Sequence, residues 1–230
     1  MSAEGQKEWF KEMHEPEERK IGWHIQPDPH IARLILQVKK EYHTKGKALD
    51  LGCGDGRHTI FCAKEGFDSY GIDYVENAIH KAKETAQKEK LTNAHFQVRD
   101  ILNLDFPSNF FDLVIDSSVV DHVHFAEWPK YMQNLLQVLK VGGFLILSQL
   151  SAQDPKMLEK KHLHEHTEKP YPESLYYESE KHYDHYFHES EIIKMFSENF
   201  EIIFMRNEIT PVLLPHLERL MLKVLLRRIK

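Results

Sequence analysis

Between Lys47 and Leu150 the chain alternates five short apolar runs with segments of helical character, and this alternation restricts the fold more than any other feature. The runs begin with KALDLGC at Lys47 and continue with residues 68–74 (DSYGIDY), 94–100 (AHFQVRD), 111–117 (FDLVIDS) and 143–150 (GFLILSQL). As a set they read as apolar runs rather than as a clean apolar–polar alternation, which fits strands covered on both faces. Residues 57–65, closed by Gly66, have the length of a first helix. Residues 76–89 set Ala78, Ile79, Ala82 and Ala86 at helical spacing among lysines and glutamates. Residues 125–139 do the same with Tyr131, Leu135 and Leu139, and Lys140 with Gly142 and Gly143 reads as the helix exit. Strand and helix in this order predict an α/β fold with a mainly parallel sheet between helices.

The pattern breaks over residues 151–188, a polar stretch crowded with histidine, proline, glutamate and tyrosine, where a short helix at most is expected. A connection of that length is usually a lid or a binding loop. A helix is expected at residues 189–197 and a strand at residues 201–206. The tail HLERLMLKVLLRRIK alternates as a strand, with Leu220, Leu222, Val224 and Leu226 on one face. Read as a helix, it would be amphipathic and basic, a form that lies on anionic membrane surfaces. The strand is preferred, since Met221 and Leu225 suit a strand covered on its second face.

The 230 residues fit one domain, with an N-terminal arm over about residues 1–30 and a lid-like insertion over residues 151–188. A formal net charge of -6 argues against nucleic acid as the main partner. The two cysteines, Cys53 and Cys62, form neither a disulfide framework nor a metal knuckle. The charged start MSAEGQKEWFKEMHEPEERK lacks the apolar run of a signal peptide, and no run of eighteen apolar residues occurs. A soluble cytoplasmic protein without stable membrane insertion is expected; the oligomeric state is left open.

Behind the first apolar run stands GCGDG, with Gly52, Gly54 and Gly56 among Asp50 and Asp55. Glycine lets a turn after a first strand close tightly and approach a ligand. The spacing is GxGxG rather than GxGxxG, and the GK[ST] ending of a phosphate loop is absent. Two flanking acids would also repel a phosphate. Asp73 ends the second strand 23 residues after Asp50, where a carboxylate can accept hydrogen bonds from both hydroxyls of a ribose. Asp100 closes the third strand, where it can meet an adenine amino group while Ile101 or Tyr74 packs the ring. Asp116, Ser117 and Ser118 end the fourth strand. These strand ends define one cleft at the carboxyl edge of the sheet.

With LDLGCGDG, Asp73, RDILNLDF, FDLVIDSSVVDHV and LKVGGFLILS in this order, the chain resembles the class I S-adenosylmethionine-dependent methyltransferases over about residues 47–150. The resemblance implies a three-layer α/β/α sandwich around a Rossmann-like, seven-stranded, mostly parallel sheet whose reversed last strand is the 220–226 run. It also implies S-adenosyl-L-methionine as cofactor. Asp50 and the backbone of Gly52, Cys53 and Gly54 would hold its methionine portion. Asp73 would take the ribose hydroxyls. Tyr74, Asp100 and Ile101 would meet the adenine, and Asp116 with Ser117 would shape the methyl side. An ammonium and a sulfonium, unlike phosphates, suit the acids around the loop.

Methyl transfer from positive sulfur needs an aligned acceptor and, for some acceptors, a base. His122, just beyond the fourth strand, is the best-placed catalytic candidate, with structural packing as its alternative role. Trp23 either walls a small-molecule pocket or anchors the N-terminal arm. His162, His164 and His166, and His182, His185 and His188, are dense enough to consider zinc or nickel, but match no metal signature, so no metal is expected. They read instead as substrate contacts in a lid. The tetrad after the fourth strand is DSSV rather than an NPPY-like sequence, which argues against amino-group methylation of nucleic acid or protein of that type. The expected activity is methylation of a small-molecule acceptor. A protein acceptor and a non-catalytic cofactor-binding regulator are the alternatives; a nicotinamide dehydrogenase is disfavoured by the glycine spacing.

Overall fold

A computed structural model describes residues 26–41, 43, 46–155, 174–177, 182–211 and 218–230, with the isolated positions 8 and 11. The first element is helix α1, Pro29–Glu41, which the sequence reading passed over. Its signals are plain in retrospect. Ile31, Leu34, Ile35 and Val38 form one buried face at helical spacing. Asp28 caps it by accepting the N–H groups of His30 and Ile31 at 2.8 and 3.3 Å, and Pro29 occupies the first helical position.

Strand β1, Lys47–Leu51, leads through the glycine turn into α2, Arg57–Lys64. Then follow β2 (Asp68–Asp73), α3 (Glu76–Lys88), β3 (Ala94–Val98), β4 (Phe111–Ser117), α4 (Trp128–Val138) and β5 (Leu139–Leu150). After β5 come β6 (Ser174–Tyr177), β7 (His182–His185), α5 (Glu189–Phe196), β8 (Phe200–Pro211) and β9 (Glu218–Arg228). The main sheet has seven strands in the order β3-β2-β1-β4-β5-β9-β8. Strands β1 to β5 pair in parallel, whereas β9 runs antiparallel to both β5 and β8. The tail is therefore the reversed strand, inserted between β5 and β8.

Both faces of the sheet are covered, which accounts for the unalternating runs. Leu49, Val114, Leu145 and Val224 pack against Tyr131 and Leu135 of α4 and Ile192 and Phe196 of α5. Their neighbours Ala48, Leu113, Ile146 and Leu225 pack on the opposite face against α1 and Cys62 of α2. Burial at both parities puts each central strand wholly inside the core.

Two expectations need correction. The helix before β5 ends at Val138, and Lys140 to Gly143 belong to the strand rather than to a helix exit. Leu139 is fully buried and pairs with Phe111, and Gly142 (φ +83) absorbs a register shift in that pairing. Within the insertion, β6 and β7 form an antiparallel hairpin, where the sequence suggested a short helix at most. The β-prone tyrosines make this strand pair, and its second strand is buried: Tyr183 and His185 are fully covered. His162, His164, His166, Trp23 and the arm before residue 26 lie outside the described residues, apart from positions 8 and 11.

Candidate functional site

The glycine turn sits at the carboxyl edge because β1 ends there and α2 begins immediately behind it. Gly52 (φ +57) lies so close to the turn after β4 that a Cβ would stand 2.6 Å from a methyl carbon of Val119. Gly54 (φ +52) is the opposite case, since a Cβ there would meet nothing within 4 Å. The loop is thus closed on one side and open on the other. Cys53 turns its thiol into an apolar cluster with Ile60, Ile79 and Phe96, so only its backbone is available to the cleft. That backbone N–H donates to the Ile72 carbonyl at 2.9 Å.

Asp73 is the joint of the site. Its carboxylate accepts the N–H of Gly54 at 2.9 Å and the N–H of Val75 at 2.9 Å, while its carbonyl accepts Arg99 N–H at 2.8 Å. One residue therefore ties together the glycine loop and the ends of β2 and β3. Burial raises its pKa above the ordinary carboxylate value, outweighing the N–H bonds of Val75, Gly54 and Tyr74. Tyr74, half-buried beside it, has its phenol pushed well up by burial and by the charges of Asp73 and Asp100. Asp100 accepts Leu102 N–H at 2.9 Å, and Ile101 is buried in the core edge below.

Asp50 and Asp116 lie deeper. Asp50 is 2% exposed and accepts both the N–H and the hydroxyl of Thr59, at 3.0 and 2.8 Å, which anchors the first turn of α2. Burial, only partly countered by Thr59 and Arg57, raises its pKa to about 7. Asp116 is fully buried and engaged by Gln149 at 2.6 Å, by Tyr131 hydroxyl at 2.8 Å and by Val119 N–H at 3.1 Å. It fixes the turn that follows β4, where Ser118 adopts φ +56 and half-buried Ser117 faces the edge.

His122 belongs to that same turn. Its Nδ1 stands 3.0 Å from the Asp184 carboxylate of β7, and its Nε2 is 3.8 Å from Asp121. Burial alone would lower its pKa, but Asp121 and Asp184 prevail and raise it to about 9. The two carboxylates thus favour the protonated form of the imidazole. Through Asp184 the same imidazole, the catalytic candidate of the sequence, also ties the hairpin to the turn after β4.

The hairpin and the segment following it pack against the turn after β4. His185 is buried edge-on against Trp128 (4.9 Å) and Phe187 (4.4 Å), and its Nε2 pairs with Glu191 at 3.2 Å. His188 caps α5, with its N–H bonded to Glu191 at 2.8 Å. These two histidines are occupied by packing and capping. Among the described residues, no group of three or more His, Cys, Asp or Glu is arranged to hold a metal ion.

Sequence reasoning missed a buried polar chain behind the loop. Lys223 of β9, fully buried, donates to Asp28 at 2.6 Å and to Ser148 hydroxyl at 2.6 Å. Asp28 N–H donates to His58 Nε2 at 3.2 Å. Burial and the charge of Arg57 hold His58 neutral, so its proton sits on Nδ1, 4.0 Å from Asp50. A lone lysine inside LMLKVLL was the available signal, because a charge in a covered strand demands a buried partner.

This geometry agrees with the family comparison: residues 43–213 match the methyltransferase-domain family. The chain belongs to that family. Its fold is that of the class I, Rossmann-like S-adenosylmethionine-dependent methyltransferases. A SAM-dependent methyltransferase from Methanosarcina mazei superposes with a TM-score of 0.72 at 22% identity, over 88% of this chain and 98% of that one. The 2-heptyl-1-hydroxyquinolin-4(1H)-one methyltransferase of Mycobacteroides abscessus is 32% identical over 126 residues, 54% of each chain. The human EEF1A lysine methyltransferase 2 is 32% identical over 124 residues, 50% of this chain and 52% of that protein. The chain thus spans about half the length of the curated relatives it matches. No described helix is long and apolar enough to cross a membrane.

Proposed function

We propose that this domain is an S-adenosylmethionine-dependent methyltransferase acting on a small-molecule acceptor. The observation that carries the reading is the bond from Gly54 N–H to the Asp73 carboxylate at 2.9 Å. It sets a ribose-binding acid and an open glycine loop against the same cleft. The residues fit the cofactor. Open space faces Gly54, and the acids Asp50, Asp55 and Asp73 around the loop favour an ammonium and a sulfonium over a pyrophosphate. The Asp73 carboxylate accepts the N–H groups of Gly54 and Val75, and its roughly four lone-pair sites leave room for a ribose hydroxyl.

In this reading the backbone of Gly52, Cys53 and Gly54 holds the methionine portion, above a loop fixed by Asp50. Tyr74, Asp100 and Ile101 border the adenine. Asp116 acts from below by shaping the turn that carries Ser117 on the methyl side. The bound cofactor supplies a methyl group already activated by positive sulfur. The chain's own task is alignment and exclusion of water, which can supply most of such a rate gain. His122, clasped as an imidazolium, holds the hairpin over the acceptor side, and Trp128, Tyr183 and Phe187 give that side an aromatic wall. The enclosed aromatic surroundings favour a small acceptor, the class on which the Mycobacteroides relative acts.

Calorimetric titration with S-adenosylhomocysteine tests the reading. Wild-type protein is expected to bind one equivalent, and Asp73→Ala to bind at least about tenfold more weakly, since hydrogen bonds to a charged group are worth about 1.5–3 kcal/mol. A folded wild type that shows no saturable binding would contradict the proposal. Transfer of labelled methyl to protein, with none to hydroxylated heteroaromatics, would shift the acceptor to the protein class.

A further inference from the structure

Three buried carboxyl groups, Asp116, Asp121 and Asp184, gather where the turn after β4 meets β5 and β7, with the His122 imidazole as their cationic neighbour. Two of the three are provided for. Asp116 accepts from Tyr131, Gln149 and Val119, and Asp184 stands 3.0 Å from His122 Nδ1. Asp121 is different. One oxygen of this fully buried group accepts the Leu150 N–H at 3.1 Å. The other, Oδ1, has no hydrogen-bond partner among the described residues, and His122 Nε2 is too far off at 3.8 Å. Gln149, next to Leu150 in β5, is fully buried too, and its amide is half used. Its Nε2 donates to the Asp116 carboxylate at 2.6 Å and to the Asp116 carbonyl at 3.2 Å, while Oε1 has no donor among the described residues. Two oxygens that both accept satisfy each other only through a hydrogen between them.

We infer that Asp121 is held as the neutral acid, that its Oδ1–H donates to Gln149 Oε1, and that this one proton locks the turn after β4 onto β5. A single hydrogen supplies both missing partners. It also leaves two carboxylates beside one imidazole, each with donors of its own. The bond to Leu150 N–H sets the Asp121 carboxyl alongside Gln149, whose amide reaches from there to Asp116. Turning the amide over is no substitute, since its oxygen would then stand 2.6 Å from the Asp116 carboxylate. Burial, with the charges of Asp116 and Asp184, raises the Asp121 pKa to about 7 against the pull of His122 and the Leu150 N–H. The Tyr131 phenol, which also faces Asp121, is kept neutral by burial and bound to Asp116. When the acid ionises, the Gln149 oxygen faces an anion, and the turn carrying Ser117, Ser118 and His122 loses its fastening. The stabilisation is complete below the ordinary value of 3.8 and is lost as pH rises through about 7.

Carbon-13 NMR of aspartate-labelled protein tests the inference by following each side-chain carboxyl from pH 4 to 9. The Asp121 signal, identified by its bond to the Leu150 N–H and by its loss in Asp121→Asn, is expected to titrate near 7; a midpoint near 3.8 would overturn the inference. Gln149→Met removes the acceptor and should lower that midpoint by at least about one unit. An unchanged midpoint would leave burial as the sole cause and overturn the shared hydrogen bond. Protection of the Val119 and His122 amides, corrected for intrinsic exchange, should drop by up to about tenfold between pH 6 and 8. It should stay level in Asp121→Asn, whose amide replaces the acid hydrogen at every pH. Constant protection in the wild type would overturn the lock. The wild-type titration and exchange carry the test if a variant does not fold.

Discussion

At the scale of single residues, the site is governed by which carboxylates are buried and what faces them. Asp184 and Asp121 flank one imidazole and raise its pKa to about 9, even though burial pulls the other way. Removing one of the two charges should expose the cause. Asp184→Asn is expected to bring the His122 pKa down by at least about one unit, as followed by its ring-proton shift across a pH titration. An unchanged titration would mean that Asp184 does not set the charge of His122. The glycine loop makes a second prediction of this kind. At Gly52 alanine meets both a left-handed backbone and the 2.6 Å approach of Val119, so Gly52→Ala should weaken S-adenosylhomocysteine binding at least about tenfold. At Gly54 the space is open, and alanine there meets no protein atom within 4 Å. Its thermal stability should therefore fall less than that of Gly52→Ala, a ranking that melting curves of the two variants can check.

Among elements, the junction of α1, α2 and β9 rests on the buried pair of Asp28 and Lys223. Burial would raise the Asp28 pKa, but Lys223 and the capped N–H groups bring it below the ordinary carboxylate value. Breaking one side of such a pair strands the other charge and typically costs 3–5 kcal/mol, whereas replacing both is often near neutral. Asp28→Asn is accordingly expected to lose about 3 kcal/mol in urea unfolding, and Asp28→Asn with Lys223→Met to recover much of it. A double variant as unstable as the single one would place the cost in the α1 cap instead. This junction also marks where sequence reading stops. The five parallel strands were legible because burial on two faces writes itself as unbroken apolar runs, and Asp73 was legible because its distance from the glycine turn fixes its edge of the sheet. Helix α1 was equally legible in the spacing of Ile31, Leu34, Ile35 and Val38. The hairpin β6–β7 was not, since HYDH buries polar groups whose partners, His122 and Trp128, lie about sixty residues away. Lys223 stands in the sequence as an ordinary charge, and only packing shows it to be the buried partner of Asp28.

For the whole molecule, these buried groups combine into a pH dependence of stability. His122 gains affinity for its proton on folding, so its contribution is complete below its ordinary pKa of 6.5 and disappears as pH rises through about 9. Asp50 has the same sign through burial: the fold favours its protonated form, an advantage complete below 3.8 and lost as pH rises through about 7. Asp28, Asp68 and Glu208 act oppositely. In each, burial is outweighed by a cationic partner, so the stability they supply is present above their ordinary values of 3.8 and 4.5 and is lost as pH falls through the lowered ones. The two sets cross just above the ordinary carboxylate values, so melting temperature should peak at about pH 4 to 5 and decline toward pH 9. Asp50→Asn should flatten the part of that decline between pH 5 and 7, because the amide cannot ionise, while His122→Gln should flatten the part between 7 and 9. A wild-type melting temperature that rises steadily from pH 6 to 9 would show that neither group is perturbed in the direction its surroundings require.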